Sequence, residues 1–145
     1  MIPEFGADGN LPPGIYKADW AEITSRFGET KVRKRLLAGL LLALQQLKLA
    51  GCRRVLLDGS FVTSKANPGD YDACWDGFGV DVGLLDPVFG RFENGRAAQK
   101  LKYGGEFFPS LAQADATRVF IDFFQSDRDT GAAKGIIAIN LESVP

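Results

Sequence analysis

Histidine is absent from these 145 residues, and that absence removes several chemistries at once. No imidazole is present to act as a general base, to complete a serine triad or to ligate zinc in the usual sites. Cysteine is nearly as scarce. Cys52 and Cys74 show no metal-ligand spacing and form no disulfide framework. Long apolar runs are missing too: the longest, Leu36 to Leu44, is too short to cross a bilayer, and the first residues lack the basic and apolar regions of a signal peptide. A soluble cytoplasmic protein without membrane association is expected. The net charge is only −1, which argues against a dedicated high-affinity nucleic-acid binder. No repeat, heptad array or low-complexity tract appears.

What is present suffices for one domain over residues 1–145. Hydrophobic residues make up 46% of the chain, with eleven Phe, and a chain of this length buries roughly 70% of its unfolded surface. The charge is unevenly distributed. Residues 1–56 hold nine Lys/Arg against five Asp/Glu, residues 57–90 hold one against six, and the remainder holds seven of each. An acidic block preceded by a basic segment suits an enzyme of metal and polyanion, and equally a solvated helix face.

The first 14 residues read as an extended, turn-rich lead-in with breakers at Gly9-Asn10 and Pro12-Pro13-Gly14. Asp19-Trp20-Ala21-Glu22 is a capping box, predicting a short helix to Gly28. A second helix is expected from an N-cap at Thr30 to Leu49, with Val32, Leu36, Leu40, Leu44 and Leu47 repeating every three or four residues. Its first turn carries Lys31, Arg33, Lys34 and Arg35, against the helix dipole, either to meet an anion or simply as exposed surface. Strands are expected next at about 53–57 and 70–75. The segment 76–90, rich in Gly, Asp and Pro, reads as irregular. A short helix over 95–103 places Arg96 and Lys100 on one face, where they would hold a triphosphate or an acceptor phosphate, or merely meet water. Strands at about 118–125 and 134–141 look like a hairpin.

The most informative pattern is Leu56-Leu57-Asp58-Gly59-Ser60 followed by Asp70-Tyr71-Asp72. Side chains alternate along a strand, so Asp70 and Asp72 share a face roughly 7 Å apart, and Tyr71 turns to the core. Two carboxylates so close repel unless a divalent cation lies between them, and hard oxygen ligands suit Mg²⁺. Gly59 lets the backbone approach a phosphate closely, and the amides of the turn that Ser60 opens attract anions. A third acid is offered by Val119-Phe120-Ile121-Asp122-Phe123-Phe124, where one carboxylate interrupts a strand-forming run. Burial there would require a partner, such as the same metal; an edge position facing water or an ion pair with Arg118 or Lys134 would also accommodate Asp122. Trp75 would pack under the sheet or meet a base.

Gly-Ser, a spacer of about ten residues and Asp-x-Asp, with a further acid on a later strand, resemble the signature of the DNA polymerase beta-like nucleotidyltransferase superfamily. The likeness covers roughly residues 30–125, and the lead-in with Phe5 and Gly9 to Gly14, the helix from Trp20, Gly69 to Asp76 and Phe124 to Asp129 look like an uncharacterised bacterial branch of it. The resemblance implies an α+β fold, with a mixed, mostly antiparallel sheet and helices packed on one face. It implies that Asp70, Asp72 and Asp122 hold two Mg²⁺ ions, or Mn²⁺ in their place, and that Gly59 and Ser60, helped by Lys100, hold the phosphates of an NTP, ATP foremost. The expected reaction is in-line transfer of a nucleoside monophosphate to a hydroxyl of a protein or tRNA acceptor, releasing pyrophosphate. Minimal members of the superfamily often act in toxin-antitoxin or phage-defence pairs, so a cognate toxin or antitoxin is an expected partner. The competing expectation is a non-catalytic module of the same fold that binds a partner protein or an NTP.

Overall fold

A computed structural model describes residues 1–145 as an α+β fold around one mixed sheet of five strands. The elements run β1 (Gly14–Ala18), α1 (Trp20–Phe27), α2 (Lys31–Leu49), β2 (Arg54–Asp58), β3 (Tyr71–Trp75), α3 (Glu93–Tyr103), β4 (Gly105–Pro109), α4 (Phe120–Phe123) and β5 (Gly135–Asn140). Strand order is β1-β5-β2-β3-β4. The two outer pairings, β1 with β5 and β3 with β4, are parallel, and the two inner ones are antiparallel. The sheet is therefore evenly mixed rather than mostly antiparallel.

The helices begin where side chains can satisfy their free amides. Asp19 accepts from the Glu22 amide at 2.8 Å and Thr30 from the Arg33 amide at 3.2 Å, as the capping patterns require. The leucine stripe of α2 then buries Leu36, Leu40, Leu44 and Leu47 against the sheet. Each contributes about 1.5–3 kcal/mol by leaving water. Helix α3 meets α2 at Gly39, where an added Cβ would lie 2.1 Å from the Tyr103 carbonyl oxygen. Only a residue without a side chain allows that crossing. The same carbonyl accepts the hydroxyl of Tyr71, which is fully buried, as the strand alternation predicts. In α3, Asn94, Gly95 and Arg96 are left-handed, at φ 54°, 62° and 60°, so the regular helix covers 97–103.

The two faces of the sheet are covered differently. Helices α1 to α3 pack on Val55, Leu57, Ala73, Trp75, Phe107, Ile137 and Ile139, forming the main core. The opposite face, with Leu56, Cys74, Phe108, Ile136 and Ala138, is smaller and is covered by the segment around α4. This segment corrects the expected strand at 118–125. Phe120 packs on Phe108 at 4.3 Å between centroids and Phe124 meets it edge-on, an arrangement a helical turn allows because residues four apart share a face. The available apolar surface overrides strand propensity here. No hairpin with β5 forms. An isolated bridge between Ser126 and Ala133 is all that joins the two segments as strands. Two strands, β1 and β4, lie outside the sequence-based expectation; both are parallel partners of distant segments, which local periodicity does not reveal. No helix is long and apolar enough to cross a membrane.

Candidate functional site

Strand direction and register assemble the site. Because β2 and β3 are antiparallel, the C-terminal Asp58 lies opposite Asp72 near the start of β3. Because β3 and β4 are parallel, Asp72 in turn lies beside Glu106. Leu57, Ala73 and Phe107 point to the helices, so alternation turns Asp58, Asp72 and Glu106 toward the other face in one row. Asp70, two residues before Asp72, joins them. Single carboxylate oxygens of Asp70, Asp72 and Glu106 lie within 4.8 Å of one another.

The cluster is electrostatically loaded. Burial, reinforced by the charges of Asp70, Glu106 and Asp58, pushes the Asp72 carboxyl from 3.8 up to about 7. Burial and then Glu106 also raise Asp70. Asp58 is raised by burial, against the pull of Lys134, whose ammonium lies 2.6 Å from it. On the outer side, Lys100 contacts Glu106 at 2.8 Å, and that hydrogen bond raises the lysine above its ordinary value. Cations thus partly offset four acids.

The Gly-Ser turn abuts this row. Gly59 has φ 86°, and a Cβ there would lie 3.0 Å from Asp72 Oδ2 and 3.2 Å from the Asp72 amide nitrogen. Both the backbone angle and the close approach call for glycine. After it, Ser60–Val62 forms a 3-10 turn. Arg33 secures this turn and the three residues beyond it, donating to the carbonyls of Phe61, Thr63 and Lys65 at 2.7, 2.8 and 2.6 Å. One member of the basic cluster in α2 is therefore buried to hold the turn, whereas Lys31, Lys34 and Arg35 stay exposed.

The four acids, Lys134, Gly59 and Ser60 line a cleft of about 610 Å³ between the sheet and the segment 118–131. Phe108, Phe120 and Phe123 form its apolar side. Arg118 is held by Asp115 at 2.7 Å and by Ser126 at 3.1 Å, and Asp127 ties its loop to Asn10 at 3.0 Å. Arg128 lines the cleft without an ion pair of its own, and its charge works against the upward shifts of Asp58, Asp70 and Asp72 without reversing them.

Of the residues singled out from the sequence, Asp70, Asp72, Gly59 and Ser60 line this cleft together. Asp122 does not join them. It lies on α4 with an exposed side chain, outside the cleft lining and without an ion pair, because Arg118 is engaged by Asp115 and Lys134 by Asp58. The third acid of the cluster is Glu106 instead. Its signal was a single carboxylate in the apolar run Gly105-Glu106-Phe107-Phe108-Pro109, directly after the helix stop at Gly104. Asp58, ending an apolar strand beside the Gly-Ser turn, carried a similar signal. Lys100 sits beside the cluster but is engaged by Glu106. Trp75 is buried at the other end of β3 and meets no part of the cleft.

A family model described as a family of unknown function (DUF6932) matches residues 3–140. The chain belongs to that family. No curated protein and no solved structure matches it. In this DUF6932 protein the matched span includes every strand, the Gly-Ser turn and all four acids of the cleft.

Proposed function

We propose that this protein is a metal-dependent nucleotidyltransferase, moving a nucleoside monophosphate from an NTP to a hydroxyl of a protein or RNA acceptor. The observation that carries the reading is the convergence of Asp70, Asp72 and Glu106 within 4.8 Å beside the Gly59-Ser60 turn. Three carboxylates are hard, anionic oxygen donors, so the set fits Mg²⁺ or Mn²⁺ and does not suit a soft metal. Such a cation would supply charge neutralisation for the phosphates and Lewis acidity toward them. The order α2, β2, Gly-Ser, Asp-x-Asp on β3, α3 and an acid on β4 matches the nucleotidyltransferase resemblance, with Glu106 in place of Asp122 as the third acid.

The chain's own groups would act by binding and orientation. Gly59 lets the turn pack directly on Asp72, which sets Ser60 on the lining of the cleft beside the acids, where its hydroxyl would meet a phosphate. Arg33 keeps the turn in place through its three carbonyl contacts. Phe120 and Phe123, half-buried on the apolar side of the cleft, offer a surface for a base to stack on. In the reaction the acceptor hydroxyl oxygen bonds to the α-phosphorus, the bond to pyrophosphate breaks and the hydroxyl proton passes to solvent or a carboxylate. A toxin-antitoxin or phage-defence setting would supply the acceptor as a partner protein or tRNA.

The test is label transfer from each α-³²P NTP with Mg²⁺ in a lysate of the native host, comparing wild type with Asp70→Ala/Asp72→Ala. A labelled protein or RNA band seen only with wild type supports the reading and names the acceptor class. No band with any nucleotide, together with no binding of Mg²⁺-NTP by calorimetry, rejects it.

A further inference from the structure

The cleft holds a buried charge pair that the metal cluster does not require. The Asp58 and Lys134 side chains are 8% and 13% exposed, with the ammonium 2.6 Å from Oδ1. A buried ion pair is a poor stabilising device, because desolvating both ions offsets their attraction, and apolar residues of similar size often do as well or better. Apolar residues already fill the neighbouring positions on this face at Leu56, Cys74 and Ile136. Asp58 also adds a fourth carboxylate directly opposite Asp72, where negative charge is already in excess. Stability does not explain the pair.

Placement does. Lys134 immediately precedes β5, and its amide donates to the Gln125 carbonyl at 2.9 Å while the next amide, of Gly135, donates to Leu11 at 3.0 Å. Its backbone is thus held on both sides. Of the three ammonium donors one is taken by Asp58, and no other protein group engages the side chain. Lys134 lines the same cleft as Ser60 and Asp72. Lys100, the other lysine near the acids, is engaged by Glu106 and lies outside the cleft lining. A rigidly held cation beside a cation-binding acid cluster is matched by a ligand carrying several negative charges, part of them on the metal and part on the ammonium.

We propose that Lys134, oriented by Asp58, binds the oligophosphate of a nucleoside triphosphate in this cleft; the assignment rests on the nucleotidyltransferase reading. Asp58 is then a positioning residue, which keeps the lysine directed into the cleft and touches no substrate. The charge-neutral pair replacement Asp58→Asn/Lys134→Met avoids leaving a lone buried ion, and urea unfolding checks that it is folded. Calorimetry with inorganic tripolyphosphate and Mg²⁺ should show binding at least about tenfold weaker than wild type, the loss of one charge-assisted hydrogen bond. Mn²⁺ affinity without phosphate should stay within about twofold, since the net charge beside the cluster is unchanged. Asp58→Asn alone, which keeps the lysine but frees it, should lose less. Wild-type tripolyphosphate affinity in the double variant overturns the assignment and leaves the nucleotidyltransferase reading standing. A parallel loss of Mn²⁺ and tripolyphosphate binding also overturns it, by showing a collapsed cleft. Wild type that binds Mn²⁺ but no tripolyphosphate overturns both.

Discussion

Replacing Asp72 by the isosteric Asn should make the metal-free protein more stable, and increasingly so as pH rises. The wild-type carboxyl shifts from 3.8 to about 7 on folding. Between those values the native state holds a proton that the unfolded chain has released, so stability falls as pH rises and the loss is complete above about pH 7. At 1.36 kcal/mol per pKa unit the full penalty is about 4 kcal/mol. Asn carries no such penalty, and its amide can donate to the carboxylates of Asp70 or Glu106 within the cluster. We therefore expect Asp72→Asn to exceed wild type by about 2–4 kcal/mol at pH 8 in EDTA, and by about 0.5 kcal/mol at pH 4. For a chain of this length that is roughly 6–12 °C in Tm at pH 8. Urea unfolding at pH 4, 6 and 8 measures it, with an unchanged m-value marking a pure stability effect. Adding Mn²⁺ should narrow or reverse the order, because a cation at a hundred times its Kd stabilises the wild type alone by about 2.7 kcal/mol. A variant less stable than wild type at pH 8 in EDTA, or wild-type stability that climbs from pH 5 to 8, would refute the reasoning.

Four further substitutions test the site. Glu106→Gln should weaken Mn²⁺ binding at least about tenfold by electron paramagnetic resonance titration, whereas Asp122→Asn on the exposed turn should leave it within twofold; the reverse ranking would restore Asp122 as the third acid. Gly59→Ala forces a side chain into a left-handed position and against the Asp72 carboxylate, so a loss of about 1–3 kcal/mol in urea unfolding and weaker Mn²⁺ binding are expected together. A neutral result in both assays would show that the turn is not packed on the acid. Arg33→Met strands three carbonyls of the turn and should cost about 2–4 kcal/mol, with faster amide hydrogen exchange concentrated in residues 59–65. Unaltered exchange there would remove Arg33 from its positioning role.

Much of this molecule is legible in local sequence because the physics involved is local. The caps at Asp19 and Thr30 and the leucine stripe of α2 need only neighbours within a turn or two, and each stands where the pattern puts it. The same holds for Asp70 and Asp72: strand alternation alone commits both carboxylates to one face, and Gly-Ser at the end of β2 needs only the φ that glycine supplies. The basic cluster of α2 was readable as a feature but not in its role, since the contacts that bury Arg33 are with carbonyls some thirty residues away.

The acids that complete the row were settled by strand pairing. Nothing near Glu106 in the chain says that β4 will lie parallel to β3 with Glu106 beside Asp72; that depends on α3 crossing α2 at Gly39 and returning the chain along the sheet edge. Asp122 sits in a run with stronger strand propensity, yet burying Phe108 under Phe120 and Phe124 draws that run into a helical turn and directs its carboxylate to water. Asp58 and Lys134 are 76 residues apart, and only the pairing of β2 with β5 brings them together. The order of residues already sets which chemistry is open to the protein, through its missing histidines, its alternating acids and its Gly-Ser turn, because composition and backbone periodicity are properties of short segments. Which acid and which lysine join them is settled in three dimensions, because long-range register arises only when the whole sheet buries its apolar faces at once.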